Sequence, residues 1–240
     1  MGDLHEIGVQ LSGSPLLHLT LTLVAYQVAL SLYRLGKLHP LLNPVLISIV
    51  LIVSVLVGTG ISYERYFDGA QLIHFLLGPA TVALAIPLYR QFHRVRQSAR
   101  AILLSVLVGS VTAATSAVVV AGVLGASQEV LVSIAPKSVT APVAMGIAEE
   151  LGGLPSLTAV VVIVTGILGA VSGPTLLDRI GVTDSAARGL SIGTASHGIG
   201  TARVVQDNEV EGAFSGLAMG LNALGTAILL PLLWRLLTAG

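Results

Sequence analysis

Polar and proline residues interrupt an otherwise apolar chain between residues 133 and 150, and their side chains could bind an anion. Pro136 and Pro142 should break any helix here, because proline removes a backbone donor and clashes with the preceding turn. The break leaves polar backbone groups that need partners inside the protein at membrane depth. A small carboxylate requires a fixed positive charge beside hydroxyl and amide donors. We therefore predict a carboxylate site at three residues of this segment: Lys137, Ser138 and Thr140.

A second polar segment, rich in glycine, runs from residue 189 to 203. An imidazole can exchange a proton near neutral pH, so His197 is a candidate for substrate binding and for proton coupling. A histidine that is satisfied within the core is the alternative. Arg203 is either a second cationic ligand or an anchor at a membrane boundary. We predict four substrate-binding residues in this segment: Ser196, His197, Thr201 and Arg203.

Three further polar residues each allow two interpretations. Glu149 and Glu150 could couple transport to protons or cations, or they could lie in a solvated turn. Lys137 could instead be a lysine near a helix end that snorkels to the interface or neutralises Glu149 or Glu150. Asn222 is a candidate substrate ligand, and interhelical hydrogen bonding is its alternative role.

Patterns that resemble catalytic motifs are weak in this chain. Residues 193–198 have the glycine spacing of a phosphate loop but lack the lysine and hydroxyl that should follow. Ser196 and His197 are adjacent, so they would point about 100° apart on a helix and could not form a nucleophile–base pair. Ser138 with His197 stays open, although no third orienting group is visible. Cysteine is absent. We therefore predict no enzyme activity, no cofactor and no metal.

The composition places the chain in a membrane. Of its 240 residues, 54% are hydrophobic and 10% are charged, and the mean hydropathy of +0.90 is far above that of soluble domains. The charges balance to zero without long runs of one sign, so nothing indicates nucleic-acid binding. The residues before Leu16 include no lysine or arginine, so we expect a retained first span rather than a cleaved signal peptide.

Apolar segments of membrane-spanning length are expected at residues 16–34, 41–58, 70–89, 101–124, 156–177 and 213–236. Three connections carry the cations that favour the cytoplasm: Arg34, Lys37, Arg90, Arg94, Arg96, Arg100, Arg179 and Arg188. This distribution places the N-terminus outside. It also requires segment 133–150 to enter and leave on the outer side as a hairpin. The charges leave open whether segment 189–205 spans the membrane or is re-entrant.

Small residues and a faint repeat accompany these segments. Gly169 and Gly173 have the spacing of a close helix contact. Residues 78–82 echo residues 135–139 at an offset of 57, and residues 133–135 echo residues 191–193 at an offset of 58. Matching interrupted segments are the pattern of transporter repeats, whose substrate sites lie near the membrane midplane.

Several motifs together resemble the LrgB/CidB family, and the resemblance covers nearly the whole chain. They are P-K-S-V-T-A-P at 136–142, A-E-E-L-G-G-L-P-S-L-T-A at 148–159, S-H-G-I-G-T-A-R at 196–203, F-L-L-G-P-A-T-V-A-L-A-I-P-L-Y at 75–89 and G-L-A-M-G-L-N-A at 216–223. The resemblance implies either antiholin-like control of murein hydrolases, usually beside a small LrgA/CidA-type partner, or transport of small monocarboxylates. The plant plastid relative exports glycolate in exchange for glycerate, and bacterial pairs are linked to pyruvate uptake.

The sequence thus predicts an all-α polytopic membrane bundle with about 6–8 membrane segments, some of them discontinuous or re-entrant. Residues 1–240 should form a single transmembrane domain in the bacterial inner membrane. Its expected function is transport of glycolate, glycerate or pyruvate, alone or with an LrgA/CidA-type subunit or further copies of itself. The alternative is an antiholin-like regulator that acts through membrane permeability.

Overall fold

The computed structural model describes residues 15–36, 39, 42–83 and 85–238, and these residues form helices and connections without a strand. The predicted all-α class is therefore confirmed. Two compact units divide the chain, Met1–Ala83 and Leu84–Gly240. Lys37 and the residues before Pro15, which contributed to the predicted orientation, lie outside the described residues.

The first unit contains helices α1 (Pro15–Leu35), α2 (Pro44–Thr59) and α3 (Tyr63–Ala83). Asn43 begins α2, since its side-chain oxygen accepts hydrogen bonds from the N–H groups of the first turn. Thr22 of α1 and Tyr66 of α3 share a hydrogen bond of 2.7 Å between their hydroxyls. Pro79 lies inside α3, which continues to Ala83.

The second unit contains the remaining helices. They are α4 (Ala85–Arg90), α5 (Phe92–Gln97), α6 (Ala99–Val123), α7 (Gln128–Ile134), α8 (Ala141–Glu150), α9 (Pro155–Arg179), α10 (Ser185–Val204) and α11 (Glu209–Thr238). Asp184 caps α10 and Asn208 caps α11 through their side-chain oxygens, while Pro155 begins α9 at a position where no N–H is needed.

Four helices of the described chain are long and apolar enough to cross a bilayer: α1, α6, α9 and α11. Tyr63–Ile73 and Gly78–Arg90 would make a fifth span if they are counted together. Large apolar side chains of α6 face outward, among them Leu104 and Val108, each more than 60% exposed. Such a surface requires hydrocarbon rather than water around it. The protein is therefore a multi-pass membrane protein.

Residues 128–154, hereafter hairpin 1, leave one end of the bundle and return to it. The helices α7 and α8 have only 7 and 10 residues, and residues 135–140 between them form the break predicted at the prolines. The N–H of Leu154 donates to Ser133 Oγ at 2.7 Å, and Thr158 Oγ1 donates to the Ser133 carbonyl at 2.8 Å. A crossing segment would separate its ends by about 30 Å. Segment 133–150 is therefore a hairpin, as the charge distribution predicts.

Residues 185–208, hereafter hairpin 2, also reverse direction, although α10 is continuous by its hydrogen bonds. His197 has φ 41° and ψ −137°, which no helix contains. Ile192 and Val204 belong to one buried cluster, whereas residues twelve apart on a straight helix would be separated by about 18 Å. Asn208 Nδ2 donates to Ser185 Oγ at 3.3 Å across the base. Segment 189–205, which charge left undecided, thus belongs to a second hairpin that turns at His197.

The two hairpins start from opposite ends of α9. Hairpin 1 returns at Leu154, directly before α9, and hairpin 2 begins at Ser185, shortly after it. With 25 residues α9 is about 37 Å long, enough to cross the bilayer. The preceding helix, α6, has the same length and is followed by hairpin 1. Each long helix is thus followed by a broken hairpin, and the two helix–hairpin units have opposite directions, as in inverted transporter repeats.

Ion pairs identify the end of the second unit at which the cationic connections meet. Arg90 binds Glu209 at 2.8 Å and Arg94 binds Asp184 at 3.0 Å. The arginine-rich connection before α6 therefore lies beside the base of hairpin 2. This agrees with the prediction that arginines 90–100 and 179–188 share one side of the membrane.

Cysteine labelling tests this topology, and the chain contains no native cysteine to remove. Gln128→Cys and Glu149→Cys at the base of hairpin 1 should react with an impermeant thiol reagent from one side. Thr183→Cys and Gln206→Cys at the base of hairpin 2 should react only from the other side. All four positions are exposed. Labelling of positions 128 and 149 from opposite sides would show that hairpin 1 crosses the membrane and would contradict the fold.

Candidate functional site

The tips of the two hairpins meet at the side chain of Asn222, near the middle of α11. Asn222 Nδ2 donates to the Ser138 carbonyl at 3.0 Å and to the Thr194 carbonyl at 2.9 Å. The Ser138 carbonyl has no regular helical partner, because the residue four positions later is Pro142, which has no N–H. Asn222 is 1% exposed, so a single amide group joins the two tips inside the bundle.

The oxygen atom of the Asn222 amide also has hydrogen-bond partners. Its Oδ1 accepts a hydrogen bond from Ser110 Oγ of α6 and another, at 3.3 Å, from Thr226 Oγ1 of α11. Ser110 lies near the middle of α6, as Asn222 does in α11, which places the junction of the tips near the middle of the membrane-spanning helices. All hydrogen-bonding groups of the amide are thus used by protein. The structure assigns Asn222 to interhelical hydrogen bonding, the alternative to its predicted role as a substrate ligand.

His197 forms the turn of hairpin 2 and is held by α9. Its Nε2 donates to the Val162 carbonyl at 2.9 Å, which defines the tautomer with a proton on Nε2. Gly166 makes this approach feasible, since a Cβ there would lie 2.6 Å from Cε1 of the imidazole. The His197 carbonyl accepts a hydrogen bond of 2.8 Å from Thr201 Oγ1. The imidazole is buried, with 4% of the residue exposed, and its Nε2 has a partner within the protein, which fits the alternative of a histidine that is satisfied within the core.

Lys137 brings a positive charge to the same place. Its ammonium group is half-buried and donates to Ser138 Oγ at 3.3 Å. No aspartate or glutamate of the described chain forms an ion pair with it. Val139, two positions after Lys137, shares a buried cluster with Val162, whose carbonyl binds His197, so the tip of hairpin 1 and His197 both contact the same part of α9. A cation without a counterion in this setting is costly and indicates a ligand.

The N-terminus of α8 adds backbone donors beside Lys137. Thr140 precedes the helix, but its hydroxyl makes no capping hydrogen bond. Pro142 has no N–H, so the first-turn N–H groups of Ala141 and Val143 are the available donors. The partial positive charge of a helix N-terminus has the same sign as the Lys137 ammonium. The tip of hairpin 1 therefore offers both charge and directional donors to an anion.

Four of the predicted site residues lie elsewhere or have structural partners. Arg203 forms an ion pair with Asp207 near the base of hairpin 2. Glu149 and Glu150 lie at the exposed end of α8, where Glu150 binds Arg235 at 2.7 Å. Thr201 Oγ1 lies 2.8 Å from Ser215 Oγ of α11, inside the contact between hairpin 2 and that helix. None of these four is brought into contact with Lys137.

Ser196 packs into a gap on α9 that only glycine provides. A Cβ at Gly169 would lie 1.7 Å from Ser196 Oγ, and one at Gly173 would lie 2.5 Å from Ile192 Cδ1. The two glycines predicted to form a close helix contact therefore receive hairpin 2. No Ser–His hydrogen bond joins Ser196 or Ser138 to His197 in the described part of the chain, since His197 Nε2 is bound to Val162 and Lys137 contacts Ser138.

Sequence reasoning missed Ser110 and the carbonyl groups of Thr194 and Val162. Ser110 lies within the apolar segment expected at residues 101–124. Backbone carbonyls have no residue-specific signal, because every residue carries one. Their participation follows only from which helix is broken and which helix lies opposite.

A groove of about 540 Å³ also lies between α6 and α11. Its lining is almost wholly apolar and extends from Leu103 and Val119 on α6 to Trp234 on α11. No charged residue lines it, so the groove offers nothing that would recognise a carboxylate.

Substitution of Gly169 tests the packing of hairpin 2. Gly169→Ala should lower the free energy of unfolding by about 1–3 kcal/mol, because its methyl group overlaps Ser196. Gly146→Ala on α8 is the matched control, since a Cβ there has no neighbour within 4 Å and alanine favours the helix by about 1 kcal/mol. Thermal unfolding in detergent would measure both. Equal midpoints for the two variants would contradict the close contact between α9 and hairpin 2.

Two opposed hairpins, joined at mid-membrane beside a half-buried cation, define a multi-pass helical membrane protein with a central polar site. Comparison with known proteins then gives the family. The LrgB-like family matches residues 22–236. The chain belongs to the LrgB family.

Individual relatives are similar in sequence to this chain along most of its length. It is 41% identical over 203 residues to the uncharacterized protein YxaC of Bacillus subtilis, covering 85% of this chain and 88% of that one. It is 36% identical over 217 residues to the holin-like protein CidB of Staphylococcus epidermidis, covering 90% and 94% of the two chains. CidB of Staphylococcus aureus is also 36% identical, over 218 residues and 91% and 95% of the chains. No solved structure matches.

Proposed function

We propose that this protein is a transporter, or the substrate-binding subunit of a transporter, for small monocarboxylates. The observation that carries the proposal is the Lys137 ammonium, which lies without a carboxylate partner in the described chain at the junction of two broken hairpins. A carboxylate bound there would receive a salt bridge from Lys137 and hydrogen bonds from Ser138 and the first turn of α8. The charge that is costly in the empty site would then be neutralised by substrate.

The direction of the hairpins supports transport rather than static binding. Hairpin 1 reaches the centre from one end of α9 and hairpin 2 reaches it from the other. A site between two such elements can be exposed to either side by displacing one of them, without exposing it to both. A binding protein or a structural subunit would need no such pair.

One cation at the junction favours a substrate with one carboxylate. The described tips contain no second unpaired cation, because Arg203 is bound to Asp207. The Ser138 and Thr194 carbonyls both bind the Asn222 amide, so the two tips meet directly beside Lys137 and we expect a small substrate there. Glycolate, glycerate and pyruvate fit these limits, and they are the substrates that the family resemblance implies.

The alternative function is a holin-like or antiholin-like role. It rests on the name of two relatives, the holin-like proteins CidB, and would require an LrgA/CidA-type partner or self-association to change membrane permeability. Outward apolar faces would serve such contacts. This role gives no function to the unpaired Lys137 at the centre, which is why transport is preferred.

We place the protein in the bacterial plasma membrane, with the base of hairpin 1 and the N-terminus outside.

Lys137→Ala should reduce uptake of labelled glycolate or pyruvate into vesicles that contain only this protein by about 10- to 100-fold. The estimate reflects the loss of a charge-assisted hydrogen bond of about 1.5–3 kcal/mol. Arg235→Gln is the control, because it removes an exposed cation at an ion pair worth little. Normal uptake by a folded Lys137→Ala variant would place the substrate elsewhere and would remove the basis of the proposal.

His197→Gln should flatten the dependence of uptake on pH. Glutamine retains an Nε2 donor for the Val162 carbonyl but cannot titrate. Uptake would be measured from about pH 5.5 to about pH 8 in wild type and variant, the range in which an imidazole titrates. A pH profile unchanged by the substitution would exclude proton coupling through His197 while leaving carboxylate binding at Lys137 intact.

A further inference from the structure

Hairpin 2 is packed against its neighbours at backbone distance. Five glycines form this contact, and a Cβ at any of them would lie 1.7 to 2.6 Å from an atom across it: Gly166, Gly169 and Gly173 on α9, and Gly189 and Gly193 on hairpin 2. The last two face the backbone carbonyl oxygens of Glu211 and Ser215 on α11. Backbone atoms cannot yield by rotating a side chain, so displacement of hairpin 2 would require its helix to separate from α11. On the α9 side the side chains of Ser196, His197 and Ile192 fill the space left by the three glycines.

Two ion pairs of Arg188, one of them buried, hold the base of hairpin 2 as well. Arg188 binds Asp178 of α9 at 2.7 Å and Glu211 of α11 at 2.8 Å. The side chains of Arg188 and Glu211 are 14% and 13% exposed. Breaking a desolvated pair of this kind leaves an uncompensated charge. Hairpin 2, α9 and α11 therefore form one rigid frame.

Hairpin 1 has a looser contact with that frame. None of its described glycines packs against the frame: Gly146 of α8 is exposed, and a Cβ at Gly153 would meet Ser133 and Val132 of hairpin 1 itself. Hairpin 1 packs on the frame through small apolar side chains, with Val139 and Ala144 in one buried cluster with Val162. Its one ion pair in the described chain, between Glu150 and Arg235, is more than half exposed on both sides and contributes little.

The parts of hairpin 1 that are fixed lie at its base. Ser133 is tied to Leu154 and Thr158 by two hydrogen bonds. Gly152, in the left-handed region at φ 81°, ends α8 just before the return to α9. Residues 135–150 thus have an attachment at each end and a hydrogen-bonded tip between them.

The geometry points to residues 135–150 as the moving gate of the site and to Asn222 as the residue that holds the gate closed. One N–H of the Asn222 amide binds Thr194, within the rigid frame, and the other binds Ser138, at the tip of the gate. Opening of the gate breaks the hydrogen bond from Asn222 to Ser138 and keeps the hydrogen bond from Asn222 to Thr194. This inference rests on the proposed function, because a gate implies a site that is loaded and emptied, and it makes Asn222 a positioning residue rather than a substrate ligand.

Thiol accessibility tests the gate without any substrate. Ser138→Cys and Thr194→Cys are a matched pair, since both residues are buried, 6% and 7% exposed, and each binds Asn222 through its backbone carbonyl. In the Asn222→Leu background, the rate at which an impermeant thiol reagent modifies the thiol at position 138 should rise about fivefold or more, the effect of one lost hydrogen bond. The rate for the thiol at position 194 should stay within about twofold.

Any other labelling pattern would overturn the inference. Equal increases at both positions would mean that Asn222 stabilises the bundle as a whole. An increase at position 194 alone would make hairpin 2 the moving element. No increase at either position would show that Asn222 does not hold the gate.

Crosslinking tests the same inference with Asn222 intact, so it does not depend on the folding of the Asn222→Leu variant. Val139→Cys with Val162→Cys would join the gate to α9, and Ile192→Cys with Leu177→Cys would join hairpin 2 to α9; each pair comes from one buried apolar cluster. Oxidation of the first pair should reduce pyruvate uptake at least about tenfold, with recovery after reduction. Oxidation of the second pair should leave uptake within about twofold.

These outcomes separate the gate from the proposed function. Loss of uptake with both crosslinks, or with the second alone, would refute a fixed hairpin 2. If wild type takes up neither pyruvate nor glycolate, the proposed function fails, and the labelling rates at positions 138 and 194 still decide whether residues 135–150 open.

Discussion

The amide of Asn222, shared between two backbone carbonyls from different broken helices, is the interaction on which the centre of this protein depends. A broken helix inside a bilayer leaves polar backbone groups that lipid cannot satisfy. Here one side chain with two donors binds one carbonyl group from each hairpin, and its oxygen is occupied by Ser110 and Thr226. The position of the amide, near the middle of α11, fixes the depth at which the hairpins end.

Glycine makes this arrangement sterically accessible. Hairpin 2 fits between α9 and α11 only because several positions at the contact carry no Cβ, and hydrogen bonds such as that of His197 to Val162 then fix its turn. In lipid there is little hydrophobic drive between helices, so close backbone packing and hydrogen bonds must supply the cohesion. Hairpin 1 has fewer of these contacts than hairpin 2. The two hairpins therefore differ in how freely each can move.

The charged side chains of the ends and of the centre differ in the partners that they have. At the ends of the second unit, four arginines form pairs with acidic residues: Arg90, Arg94, Arg188 and Arg235. At the junction of the tips, Lys137 has a hydroxyl as its contact. Within the described chain, the half-buried Lys137 therefore differs from these arginines in forming no ion pair.

The sequence by itself determined the membrane class, the break beside Lys137, the glycine contact on α9 and the common side of two arginine-rich connections. These features follow from composition, from proline geometry and from the cost of charge in hydrocarbon, which act locally along the chain. Only the tertiary structure decided that residues 185–208 reverse at His197, that Asn222 joins the tips, and that Glu150 and Arg203 have partners away from Lys137. A histidine at positive φ and two carbonyl groups that bind a distant side chain have no sequence signature. Their conformation and partners are set by helices that approach from distant parts of the chain, and only packing determines which atoms then face each other.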